Sequence, residues 1–265
     1  MTMAQSREQT ALEYIKNGMK EIPGHIGFYY KNLITGYEES VGADEAYLAA
    51  SVIKLPLFLY VLTLAERGQI SLDEKLIVEE QEKMPSCGAL TLFTGPVEVD
   101  IRTLCRLMID LSDNTATNKL INYCTIPGAN EGFREMGLEK TVLRRLLFDS
   151  VASAAGIQNT ICPREMGMLL EQLWRGTFLN KEVSEFAMEV LLHQQINHKL
   201  GGKLKEEIGI AHKTGEDDNL SNDVGIVLAE EPFVICFAGH DTDVYAWEDL
   251  MRRGTYELYR AQMEG

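Results

Sequence analysis

The sequence predicts an α+β protein of two lobes: an antiparallel sheet flanked by terminal helices, with an all-helical lobe inserted between its strands. Three observations predict it. Strand-period stretches occur near the two ends, at 25–41 and 210–238. Between them the chain reads as helices separated by glycine, proline and polar turns. The 265 residues are 45% hydrophobic and show no internal repeat, which suits one large core rather than an array or a disordered chain. The expected organisation is a single domain over 1–265. Residues 1–48 and 196–265 form the sheet-and-helix lobe, and 49–195 the helical lobe.

Each element has a local reason. Residues 4–21 place Ala11, Leu12, Ile15 and Met19 on one helical face, and Pro23-Gly24 ends the helix. Residues 25–30 and 37–41 read as two strands joined by a turn at 32–36. Ser51 opens a long apolar helix that closes at Arg67-Gly68. The polar stretch from Ser71 to Gly88 reads as loop with short helical pieces. Asp100 caps a helix through Leu104 and Met108, and 114–123 reads as another. Pro127-Gly128 and Gly137 are expected to break the chain into short segments. Pro163 starts a helix that Gly176 stops, and 181–195 forms a further one. Strands are expected at 210–213, 223–229 and 233–238, and residues 242–262 close the chain as a helix with Trp247, Leu250, Met251 and Leu258 in the core.

Charge and cysteine usage exclude several functions. The net charge is −15 and the pI about 4.8, against nucleic acid or an anionic membrane surface as partner. No stretch has the length of a membrane span. The five cysteines, Cys87, Cys105, Cys124, Cys162 and Cys236, lack C-x-x-C spacing, so no metal site or redox motif is expected. They read as reduced thiols. With no apolar leader in residues 1–24, a cytoplasmic location is expected, or an exported one if the chain is a processed form. A monomer without cofactor is expected.

Three short motifs follow one another. Ser51-Val52-Ile53-Lys54 places a hydroxyl and an amine one helical turn apart, at the positive end of a buried helix. A desolvated lysine there loses its proton near neutral pH and becomes a base for the serine. Ser112-Asp113-Asn114 lies at a joint between two helices, and Lys213-Thr214-Gly215 at the end of a strand. Each alone has a plainer reading: Ser51 and Asp113 as helix caps, Lys54 and Lys213 as solvated lysines, Gly215 as a turn residue. Their common order is far more specific.

With Ala49-Ala50 before the first motif, Asn159-Thr160-Ile161-Cys162-Pro163 before a helix and Asn222-Asp223-Val224-Gly225 after the third, the chain resembles class A β-lactamase-type serine hydrolases from about Gly24 to the C-terminal helix. The resemblance implies the two-lobed β-lactamase/transpeptidase-like fold with its site between the lobes. It implies a small-molecule substrate: a β-lactam, an ester or a peptide-like amide. It implies Ser51 as nucleophile, Lys54 as its base, and Ser112 as proton donor to the leaving nitrogen under the field of Lys213. Asn114 would hold a substrate amide, Thr214 and Lys213 a substrate carboxylate, and the amides of Ser51 and Glu216, beside Gly215, the oxyanion.

Two departures qualify this. Class A enzymes carry a water-activating glutamate on a loop between the second and third motifs. Residues 143–156 contain none, and their one carboxylate, Asp149, reads as a cap or turn residue. Glu216 should share a face with Thr214 and repel a substrate carboxylate. The expected activity is therefore an acyl-enzyme on Ser51 with deacylation in doubt. The alternatives are a hydrolase of neutral esters or peptide-like amides, and a non-turnover β-lactam-binding sensor.

Overall fold

The computed structural model describes residues 3–263. Helix α1 (Met3–Glu21) buries Ala11, Leu12, Ile15 and Met19, as its periodicity predicts. Strands β1 (His25–Asn32) and β2 (Glu38–Val41) form the expected hairpin. Its turn is held by Asn32 Oδ1, which accepts from the amides of Ile34 and Thr35 at 3.0 Å. A short strand β3 (Tyr47–Leu48) leads into a 3-10 turn at Ala50–Ile53 and then α2 (Lys54–Glu66). Every residue from Lys54 to Thr63 is buried, so α2 is the axis on which the helical lobe packs.

Strands β4 (Lys75–Val78) and β5 (Val97–Asp100) pair across what the sequence reads as loop. Helix α3 (Ile101–Asp110) is capped by Asp100, whose carboxylate accepts from the Thr103 amide, and α4 (Asn114–Cys124) by Asp113. Helix α5 (Ile126–Glu135) corrects the expectation of a break at Pro127-Gly128. Proline in the first turn lacks only an amide that has no partner there, and Thr125 caps the turn through Gly128. Helix α6 (Ser150–Ala154), strand β6 (Thr160–Ile161), α7 (Pro163–Trp174) and α8 (Lys181–Leu192) follow. The strands β7 (Ile210–Asp217), β8 (Leu220–Val227) and β9 (Phe233–His240) and the helix α9 (Val244–Met263) complete the chain. Within 49–195 the helices form the body, with the β4–β5 pair and the β6 half of a β3–β6 pair added to them.

The main sheet has the order β2-β1-β9-β8-β7 and every neighbouring pair is antiparallel. Both faces of β9 are buried, which is why its sequence is an unbroken apolar run rather than an alternating one. Phe233, Ile235 and Phe237 pack with Trp247 and Ile15 under α1 and α9. Val234, Cys236 and Ala238 face the opposite core, shared with α2 and α7. Strand β7 is an edge, and its far side lies against the 3-10 turn that carries Ser51. The third motif is thus in the body of an eight-residue strand, not at its end. The ladder with β8 continues past Gly215 to Asp217↔Leu220.

Candidate active site

Three residues from distant parts of the chain fix the turn before Ser51. Asn222 on β8 donates from Nδ2 to the carbonyls of Leu48 and Ala49 at 2.9 and 3.1 Å, and accepts from the Gly239 amide at 2.9 Å. The carbonyl of Asn159 accepts from the Ala49 amide at 2.9 Å. A Cβ on Gly215 would stand 3.0 Å from the Ala49 carbonyl and 3.2 Å from the Ser51 amide, so any other residue here would push β7 and the turn apart by a few tenths of an ångström. Ala50 is held at φ 40°, a left-handed conformation that the surrounding bonds over-determine. The result is a rigid Ser51 at the mouth of α2.

Lys54 is fully buried. Four oxygens surround its Nζ: the Ser112 carbonyl and Asn114 Oδ1 at 2.8 Å, and Ser51 Oγ and Ser112 Oγ at 3.0 Å. The first two can only accept, whereas the hydroxyls can donate. Burial, reinforced by the nearby charge of Lys213, lowers the Lys54 pKa well below its ordinary value. A neutral amine has two N–H bonds and one lone pair. The carbonyl and the amide oxygen take the N–H bonds, and the lone pair is left to the two serine hydroxyls. Lys54 is therefore placed to draw a proton from Ser51 and pass it to Ser112.

Ser112 sits between α3 and α4 at φ 54°. Its hydroxyl also accepts from Lys213 Nζ at 3.1 Å, and Lys213 donates to the Thr214 carbonyl at 2.9 Å. Burial lowers the Lys213 pKa to about 7, against the opposing pull of Asp223. Asp113 does not reach the reacting groups. It accepts from Ala116 on α4 and from the amides of Ala89 and Leu90, and so ties the 84–92 loop to the second motif. Asn114 donates to the Pro85 carbonyl at 3.3 Å, which orients its oxygen toward Lys54.

These groups open into a cleft of about 720 Å³, lined also by Cys87, Leu147, Asp149, Thr214 and Glu216. Across from Ser51 runs the 143–159 loop. Asn118 on α4 clamps Leu147 through both its amide and its carbonyl, at 2.8 and 2.9 Å, and Asn159 Oδ1 accepts from Arg144 and Arg145. The clamped position facing the cleft is thus a leucine. Asp149 caps α6 by accepting from the Ala152 amide, the cap role expected of it.

All eight expected site residues, Ser51, Lys54, Ser112, Asn114, Lys213, Thr214, Gly215 and Glu216, come together here. One expectation changes. Glu216 is not a bare charge, because Lys199 Nζ lies 3.1 Å from its Oε1. Lys199 carries no local signal, since its partners lie 16 and more residues further along. Asn118 lies four residues after Asn114, yet its role depends on a loop that only the fold brings beside it.

A model of the beta-lactamase enzyme family matches residues 10–259. The chain belongs to that family. It is 25% identical over 247 residues to a beta-lactamase of Rhodobacter capsulatus, covering 91% of this chain and 84% of the relative. Among solved structures it is similar to PBP-A, with a TM-score of 0.83, 26% identity, and coverage of 99% of this chain and 96% of that one. A leucine-to-glutamate variant of PBP-A, solved as an acyl-enzyme complex with penicillin-G, gives a TM-score of 0.86 at 25% identity, covering 98% and 97%. The two-lobed α+β fold is the family's.

Proposed function

We propose that the chain is a serine hydrolase that opens β-lactam amides through an acyl-enzyme on Ser51 and releases the product slowly. The observation that carries this is the buried Lys54, whose lone pair faces Ser51 and Ser112. In the acylation step Ser51 Oγ bonds to the amide carbon and its proton passes to Lys54 Nζ. The carbonyl oxygen becomes an oxyanion facing the amides of Ser51 and Glu216. As the C–N bond breaks, Ser112 donates its proton to the leaving nitrogen and recovers one from Lys54. The charge of Lys213 favours that transfer. Water then hydrolyses the ester and restores Ser51.

The second half of the cycle lacks a clear base. Asn118 holds Leu147, not a carboxylate, against the cleft, and Asp149 is engaged as a cap. PBP-A, whose glutamate variant was trapped as an acyl-enzyme, supports the same leading step in this chain. The proposal includes a reducing, cytoplasmic setting, which five free cysteines support.

Intact-mass analysis with benzylpenicillin tests the reading. Wild type should gain one penicilloyl group within the dead time of a burst, then turn over slowly. Ser51→Ala should gain none. An identical adduct on Ser51→Ala, or fast turnover without a burst, overturns the proposal.

A further inference from the structure

Lys199 belongs to none of the three motifs, yet it is fully buried beside the third. Its Nζ donates to the carbonyls of Gly215 and Asn222 at 3.0 and 3.2 Å and lies 3.1 Å from Glu216 Oε1. A buried ammonium requires a close countercharge. Glu248 is further away, with Oε1 at 3.8 Å, and it is engaged by the Ser221 hydroxyl at 2.9 Å and by Arg252 at 3.5 Å. His198 stands 3.5 Å from Glu216 and 3.7 Å from Glu248. The buried Asp223 also feels the charge of Lys199 but is paired with His212 at 2.9 Å, so Glu216 is the carboxylate nearest Lys199. The Glu216 side chain is half exposed and lines the cleft, three residues beyond Lys213, and its own amide is one of the two assigned to the oxyanion.

We infer that Glu216 determines specificity by occupying, with its own carboxylate, an anion subsite that Lys199 builds beside Thr214. A substrate with a carboxylate next to its scissile amide must displace Glu216 from Lys199 before Ser51 can react. Lys213 is already engaged by Ser112 and the Thr214 carbonyl, and Lys199 does not neutralise two carboxylates a few ångströms apart, so they compete for it. Acyl donors without that carboxylate leave the pair intact and are the favoured class. The inference rests on the hydrolase reading above and narrows its substrate. It differs from simple repulsion by Glu216 in one respect: the effect of Glu216 must depend on Lys199.

The test compares acylation by benzylpenicillin and by its uncharged methyl ester, read by intact mass, in wild type, Glu216→Gln, Lys199→Met and the double variant. Each variant keeps the main-chain amide of Glu216. Glu216→Gln should raise the rate with benzylpenicillin about tenfold relative to the methyl ester. In the Lys199→Met background the same substitution should change that ratio less than about threefold. Equal gains with both substrates, or a gain that survives without Lys199, overturn the subsite. If Lys199→Met does not fold, free phenylacetate decides the matter: it should inhibit Glu216→Gln and not wild type, and equal inhibition overturns the inference. Absence of any Ser51 adduct in every variant would remove the hydrolase reading itself, whereas adducts without discrimination remove only this one.

Discussion

Lys54 and Lys213 do opposite work from one buried place, and their protonation sets when the site functions. The proposed acylation needs Lys54 neutral and Lys213 charged. Lowering the pH returns a proton to Lys54 and removes the base, so the rate falls on the acid side. Raising the pH through about 7 removes the charge of Lys213, so the field on the Ser112 proton fades and the rate falls on the alkaline side. The two groups are coupled, and the limbs of the bell report the pair. Lys213→Arg, which stays charged, should flatten the alkaline limb in a pH–acylation profile; an unchanged limb would take Lys213 out of that role. Lys54→Ala should slow acylation by a factor on the order of 10² or more while thermal unfolding stays cooperative. Leu147→Glu should place a carboxylate on the cleft wall under the Asn118 clamp and speed deacylation, by a factor of roughly 10² for an effective base. The burst with penicillin would then merge into steady turnover, and a persistent burst would show that the loop geometry, rather than the missing carboxylate, is limiting.

The elements matter because they hold these residues against their own preferences. Asn222 satisfies three main-chain groups at the junction of β8, β9 and the Ser51 turn. Asn222→Ala leaves buried donors and acceptors unpaired, at about 1–3 kcal/mol each, and should lower both the urea midpoint and the acylation rate. A stability loss with unchanged acylation would show that the turn does not need this tether. The contrast with the sequence lies in which signals are local. Helix α2, the caps at Asp100 and Asp113, and the first hairpin rest on neighbouring residues, and they were legible. Strand β7 extends past Lys213 because β8 pairs with it through Asp217, and polar Glu216-Asp217 gave no strand signal. Strands β4 and β5, some twenty residues apart, are likewise made by pairing. Pro127 reads as a breaker until Thr125 is seen to cap it. The residues that come together at the cleft were legible because three motifs carry them, with Glu216 directly after the third. Lys199 and the Asn118 clamp were not, since their partners are distant in sequence.

For the whole molecule, one core joins the lobes and shields most of its reactive side chains. Cys105, Cys124, Cys162 and Cys236 are buried, and burial raises each thiol pKa, that of Cys124 to about 12. Cys87 alone is exposed, in the cleft wall. A thiol reagent should therefore count one fast cysteine in the native protein and five after denaturation; a deficit of two in the denatured count would mean a disulfide. The order of the sheet has a consequence for biosynthesis. Strand β9, near the end of the chain, is hydrogen-bonded between β1, near its beginning, and β8. Until residues 233–240 emerge, β1 has no partner on that side, and Asn222 lacks the Gly239 amide it accepts from. The four residues proposed to move or steer the proton, Ser51, Lys54, Ser112 and Lys213, are synthesised before the framework that aligns them. A ribosome-bound chain halted at residue 230 should hold Ser51, Lys54, Ser112 and Lys213 and yet form no adduct with benzylpenicillin, because the site is aligned only once residues 233–240 have emerged.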